Sequence, residues 1–301
     1  MSSLAVRKAP PAAGTTPGTA QGPPPPRRTA LLPTAVLVLG ALYCLLPVLW
    51  VVIASTKSGR ELFSTFTFWP GSGFADNVTD LSAYRDGIYW RWMGNSALYA
   101  GLGALLSTAV SAVSGYALAV YRFRGRESVF NILMAGVLMP PVILAVPQYL
   151  LLAKADLTDS YASVLTPLVL SPYGVYLARI YASAAVPGDV VEAGRMDGAS
   201  EWRIFTRIAL PMMVPGLVTV FLFQFVAVWN NFLLPYIMLS DDEKFPLTLG
   251  LFTLLEQGSN TPALYTLVIT GALLAVVPLI ALFLVIQRFW SLDLLSGAVK
   301  S

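Results

Sequence analysis

Acidic and basic residues at short, regular spacing are concentrated in one stretch of this sequence, Pro187 to Leu217, which reads PGDVVEAGRMDGASEWRIFTRIALPMMVPGL. Asp189, Glu192, Asp197 and Glu201 alternate with Arg195, Arg203 and Arg207, and Arg179 lies just upstream. Charges of both signs on one short segment select and orient a protein partner. Catalysis has little to work with here. The chain has no His and a single Cys, Cys44, which excludes an internal disulfide, a Cys/His zinc site and any His-based triad. No Lys follows a Gly anywhere, so the phosphate-cradling Walker A loop is absent. If ATP powers this protein, a separate chain binds it.

Two short amphipathic helices joined by a turn are expected to carry these charges. Met196, Ala199, Trp202, Phe205 and Ala209 recur at three- or four-residue steps, with Val191 five residues before the first, which predicts one apolar side and one charged side. Gly198 sits between them, where a chain turns without a Cβ penalty. Pro187 is expected to open the segment and Pro211 to close it.

Glu192-Ala193-Gly194, then Asp197-Gly198-Ala199, then Phe205, Ile208 and Pro211, resembles the cytoplasmic signature loop of binding-protein-dependent ABC importer permeases. Gly194 departs from the family pattern, which usually has Ala there; the change costs about 1 kcal/mol of helix propensity if exposed. Asn95-Ser96, Met139-Pro140, Pro147, Trp229-Asn230 and the tetrapeptide at 297–300 match the sugar-importing branch, and the likeness covers the chain from Trp92 onward. The overall similarity is to the smaller permease subunit of maltose-type importers. The resemblance implies a type I ABC importer permease fold with a coupling helix between the fourth and fifth spans. It also implies a homologous second permease, an ABC ATPase dimer that binds ATP and Mg, and an extracytoplasmic solute-binding protein. At the ATPase surface it places Glu192 and Asp197. Membrane lipid is the remaining expected partner; nucleic acid is not one.

Composition supports a membrane protein independently. The chain is 56% hydrophobic and 12% charged, against about 25% charged in soluble domains. Residues 1–28 are rich in Pro, Ala, Gly and Thr and read as a disordered cytoplasmic tail; residues 29–301 read as the transmembrane permease domain, with its family core at about 92–287 and the coupling loop at about 187–211. The apolar run from Ala30 to Ala54 is too long for a cleaved signal peptide and reads as the first span. Five more are expected over Met93–Val120, Val129–Ala153, Ala162–Tyr181, Met213–Leu239 and Ala263–Gln287, giving an all-α membrane protein. Gly103, Ser107, Ser111 and Gly115 repeat every fourth residue on the second span, a stripe that lets helices approach closely in lipid. Pro140, Pro141 and Pro147 predict a kink or break in the third. Thirteen of the 19 Lys and Arg residues fall on the side of the signature loop. The positive-inside rule therefore predicts that this loop and both termini are cytoplasmic, in a bacterial cytoplasmic membrane.

Only Arg179 is charged within the six spans as drawn. Ion-coupled carriers bury ionisable residues in their pathway, so coupling energy is expected to arrive through the loop, and a stand-alone carrier or intramembrane enzyme is the weaker alternative. Gln224, Phe225, Trp229, Asn230 and Asn231 are candidate path residues, since aromatic faces and amides suit a neutral sugar; packing among spans is the competing account of the Phe221, Phe225, Trp229 stripe. Import of another small solute, a glycerophosphodiester or an amino acid, stays open. So do two readings of the segment from Asp241 to Pro262: contact with a solute-binding protein, or a plain solvated loop.

Overall fold

The computed structural model describes residues 31–258 and 261–298; the tail at 1–28, and part of the tetrapeptide at 297–300, lie outside them. Two compact units divide the chain, one ending at Val48 and the other beginning at Leu49. The first is made by most of α1 (Leu31–Ala54), a 24-residue helix with no charged residue and Pro47 inside it. At 1.5 Å per residue it is long enough to cross a bilayer core of about 30 Å.

The second unit begins with the end of α1, then a loop with the short α2 (Glu61–Ser64), and α3 (Phe74–Ala83). The loop is built around Lys57, whose buried ammonium donates to the carbonyls of Phe66 and Thr67 at 2.7 and 3.2 Å. Arg85, Asp86 and Gly87, all with positive φ, separate α3 from α4 (Ile88–Val120). The 33 residues of α4 are the spine of the unit. Packed around it are α7 (Tyr161–Leu168), α8 (Pro172–Ala185), α11 (Leu210–Trp229) and α13 (Leu247–Gln257).

Glycine and serine set how near α8 comes to α4. A Cβ added at Gly115 would lie 2.6 Å from Ala178 Cβ and from the Arg179 backbone nitrogen, and one at Gly174 would lie 2.5 Å from Ser111 Oγ. Gly103 faces Leu168 on α7, and Ser107 and Ser111 are fully buried. The stripe predicted from sequence thus forms one close-packed helix interface, the kind that holds helices together where lipid removes the hydrophobic drive.

Prolines break the spans where they were expected to act. α5 (Arg126–Leu138) and α6 (Pro141–Lys154) meet at 104°. Met139 is extended, as the residue before a proline prefers, and Pro141 starts α6, where its missing N–H costs nothing. The fourth span is also two pieces: Ser171 ends the gap after α7 and caps α8, accepting from the Gly174 N–H at 3.0 Å.

The fifth span differs from its expected extent. It ends at Trp229, not Leu239, and α12 (Leu233–Met238) follows after a break. Asn230 turns its amide back to the Val226 carbonyl (2.8 Å) and Asn231 Oδ1 accepts from the Leu234 N–H (3.3 Å). Such side-chain competition with the backbone is why Asn ends and starts helices. α14 (Pro262–Ala298) runs past the predicted end at Gln287. Among the described residues, five helical stretches are long and apolar enough to cross a membrane, and the bent α5–α6 pair makes a sixth if it is one span.

Two apolar cores lie along α4. The one near its N-terminal end joins Tyr89, Trp92, Tyr99, Phe225 and Trp229 to Leu247 and Leu249 of α13. The one near its C-terminal end joins Tyr116 to α8, α11 and the loop between them.

Candidate functional site

The loop between α8 and α11 is itself helical: α9 (Gly188–Met196), then α10 (Glu201–Ile204), then a π-turn over Phe205–Ala209 that feeds α11 without a break. Pro187 precedes α9 as expected. Pro211 does not close the segment; it lies in the first turn of α11, within a continuous helical run from Glu201 to Trp229. Proline denies its carbonyl partner four residues back. The π-turn is the accommodation, with the Leu210 N–H bonded to the Phe205 carbonyl.

Gly198 makes the turn between α9 and α10 with φ of +76°. Its N–H reaches the Arg195 carbonyl and the Ala199 N–H reaches that of Gly194, both at 3.0 Å, which satisfies carbonyls the ending helix would otherwise leave open. Ser200 then caps α10, accepting from the Arg203 N–H at 3.4 Å. A side-chain clasp closes the corner. Arg195 donates two hydrogen bonds to Glu201, at 2.7 and 3.2 Å, and Glu201 accepts a third from the Tyr121 hydroxyl at 3.0 Å. Tyr121 follows α4, so the clasp ties the loop to the spine.

The inner face of the loop is part of the core. Val191, Ile204, Phe205 and Ala209 are buried with Tyr116, Ala178, Ala182 and Met213. Phe205 lies 5.0 Å, centroid to centroid, from Tyr116. Gly194 is buried too; a Cβ there would meet Ile204 Cγ1 at 3.2 Å and Ile208 Cδ1 at 3.3 Å. The departure from Ala therefore lies at the contact between α9 and α10, not on an exposed helix face. The loop cannot tilt without moving the ends of α4, α8 and α11.

The outer face shows Glu192, Ala193, Asp197 and Gly198 to solvent. It also shows Met196, 88% exposed, and Trp202, 65% exposed, against the expectation that both lie on the apolar inner side. The reason is helix geometry: Met196 lies five residues after Val191 on α9, about 140° around the helix from that buried side, and Trp202 lies at the edge of the face that Phe205 buries. Exposed Trp and Met are the residue types that anchor protein interfaces. These two, and the Arg195–Glu201–Tyr121 clasp, are features that spacing alone missed.

The residues read as path candidates separate into two groups. Phe225 and Trp229 are buried and stacked, centroids 5.7 Å apart and planes 17° apart, so their ring faces are occupied by packing. Gln224 is buried and donates to Ser171 Oγ at 2.8 Å, bracing the break between α7 and α8. Asn230 is exposed at the end of α11 and Asn231 half-buried beside it. Asn231 also accepts at its carbonyl from Thr248 Oγ1 at 2.9 Å.

At the opposite end of α4 the segment at 241–245 is pinned, unlike a plain solvated loop. Trp92, Asn95 and Tyr99 donate to the carbonyls of Asp242, Glu243, Lys244 and Phe245. Ser96 Oγ accepts from the Leu247 N–H at 2.7 Å. Asp159 accepts from the N–H groups of Ser240 and Asp241, each at 3.0 Å. Those two bonds, Asp241 first, hold its carboxyl below the usual range, and the nearby Lys244 ammonium adds to the effect.

A family model described as the binding-protein-dependent transport system inner membrane component matches residues 111–291. The arabinooligosaccharides transport system permease protein AraQ of Halalkalibacterium halodurans is 34% identical over 91% of this chain and 99% of its own. The lactose transport system permease protein LacG of Rhizobium radiobacter is 29% identical over 88% of this chain and 94% of its own. Among solved structures, a chain of a bacterial ABC transporter involved in the import of the acidic polysaccharide alginate has the same fold, with a TM-score of 0.76 at 23% identity over 87% of this chain and 96% of that chain. The chain thus belongs to the binding-protein-dependent transport system inner membrane components, multi-pass permease subunits of ABC transporters and not enzymes.

Proposed function

We propose that this permease forms half of the translocation path of an ATP-driven importer for a sugar or oligosaccharide, and is worked through the loop at 187–211. ATP and Mg bind to a separate ABC ATPase dimer, a homologous second permease supplies the other half of the path, and an extracytoplasmic binding protein delivers the solute. The loop and both termini are cytoplasmic. The observation that carries this reading is the two-sided loop: an outer face of Glu192, Met196, Asp197 and Trp202, with an inner face buried among three membrane helices. Such a piece converts a push on its outside into rotation of the spans.

The family of relatives named for arabinooligosaccharides and lactose supports a carbohydrate solute. So does the scarcity of charge, because spans in which Arg179 alone is charged, as drawn from the sequence, suit a neutral polyol better than an anion. The test is alanine substitution of Met196 and Trp202 in the chain co-expressed with its sister permease and ATPase. Central interface anchors cost about 2 kcal/mol or more each, roughly thirtyfold in affinity. The expected result is loss of the ATPase from the purified complex while the two permeases stay paired. Full retention of the ATPase by the double variant would refute this docking face.

A further inference from the structure

A second charged cluster lies at the same end of the bundle, beside the loop. Arg122 sits in the connection from α4 to α5, Arg126 is the first residue of α5, and Arg179 near the end of α8 lays its guanidinium over the Phe130 ring, 3.7 Å from the centroid. Arg126 Nε and Arg179 Nη1 are buried without a hydrogen-bond partner. Glu127 is the carboxylate nearest both, at 3.8 Å from Arg126 Nε and 4.0 Å from Arg179 Nη2, with its side chain 73% exposed. Grooves of about 510 and 470 Å³ open beside the arginines. No side chain caps the start of α5, whose dipole adds positive potential at the same place.

Arg122 and Arg126 also line a cavity of about 790 Å³ with Glu192 and Arg195 of the loop; the guanidinium groups still outnumber the carboxylates Glu127 and Glu192, which leaves an excess of positive charge and donors without acceptors. An anion with several acceptor oxygens fits that chemistry. The adjoining surface says what the anion is attached to. Val129 and Ile132 on α5 and Ile180 on α8 continue from the cluster as exposed apolar side chains. A free phosphate would satisfy the arginines and leave this wall bare, whereas a phospholipid satisfies both. Basic pockets between membrane helices at the cytoplasmic leaflet bind anionic headgroups for this reason. We propose that Arg122, Arg126 and Arg179 hold the phosphate of an anionic phospholipid, its acyl chains lying along α5 and α8. The proposal rests on the reading of this end as the cytoplasmic one. Its test uses purified complex, so it succeeds or fails independently of orientation.

The purified transporter complex is exchanged into nanodiscs of phosphatidylcholine alone or mixed with phosphatidylglycerol, and the lipid it keeps is counted by native mass spectrometry. Wild type should keep phosphatidylglycerol in preference. Arg122→Gln and Arg126→Gln should each reduce that preference about fivefold, and together about thirtyfold. Arg60→Gln, at the opposite end, should leave it unchanged. Arg179→Gln can disturb the Phe130 stack, so Arg179→Lys is the fold-sparing check on that position and should keep most of the preference. Equal retention of the two lipids by wild type would overturn the proposal. So would equal loss with Arg60→Gln, or competition by inorganic phosphate at concentrations comparable to the lipid.

Discussion

Gly198 is the residue on which the loop's geometry turns. Its φ of +76° is a left-handed value, and a Cβ added there meets nothing within 4 Å, so substitution is penalised by conformation and not by crowding. A β-branched residue costs about 1–3 kcal/mol at such a position, while Asn tolerates it. Gly198→Val should abolish uptake and binding-protein-stimulated ATP hydrolysis, yet leave pairing with the sister permease intact. Gly198→Asn should keep both activities; identical behaviour of the two variants in transport assays would remove the turn from the mechanism. Gly194 poses the opposite case. Gly194→Ala gains about 1 kcal/mol of helix propensity and asks Ile204 and Ile208 to shift by a few tenths of an ångström, so it should be near neutral in uptake and thermal stability. At the far end, Asp159 is worth following by pH. Its folded carboxyl is depressed by the N–H groups of Asp241 and Ser240, so what it contributes is fully present above the ordinary carboxylate pKa. That contribution disappears as pH falls through the lowered value. The melting difference between wild type and Asp159→Asn should therefore be flat from about pH 5 to 8 and shrink only below about pH 4.

At the scale of elements, tight approach of α4 to α8 is what lets a push on α9 reach the spine. Gly115→Leu would drive a side chain into Ala178 and the backbone of Arg179, and overpacking against backbone has no cheap relief. It should abolish assembly and membrane accumulation, whereas Gly101→Leu, whose Cβ has open space, should accumulate normally on immunoblots of membranes. This interface was legible in the sequence because a four-residue repeat of Gly and Ser lies within one uninterrupted helix. The proline breaks were legible for a similar reason, since the effect of proline on its neighbours is local. The end of α11 was not legible. Phe232 to Leu239 is as apolar as the span before it, and only the hydrogen bonds of Asn230 and Asn231 reveal the break. Pro211 misled in the other direction, because a π-turn absorbs it and the helix continues. The signature loop was recognisable residue by residue, but not which of its apolar residues face outward. Met196 lies about 140° around α9 from the buried Val191 and Trp202 at the edge of the face that Phe205 buries, and an apolar side chain type does not by itself mark a packed position.

For the whole molecule, charge distribution is the property that sets orientation in the membrane. On the six-span reading of the sequence, thirteen of 19 basic residues are expected on the side of the loop at 187–211, and Lys and Arg are retained on the cytoplasmic side during insertion. The far end carries the pinned segment at 241–245, where Arg85 pairs with Asp242, Arg91 with Glu243, and Lys244 with Asp159 and Asp241. Basic residues there are few, and these three are paired, so they oppose the inside bias only weakly. Ser128 and Ser240 are exposed at the two ends and make a direct test in a Cys44→Ser background. Neither side chain is needed by the loop or the core, so cysteine at either place should leave uptake intact. Ser240→Cys should react with a membrane-impermeant maleimide in intact cells stripped of outer layers, and Ser128→Cys only after a permeant reagent or lysis. The opposite pattern would put the Met196–Trp202 face outside the cell, away from ATP. The fold would survive that result, since it depends on packing alone, but the coupling role of the loop would not.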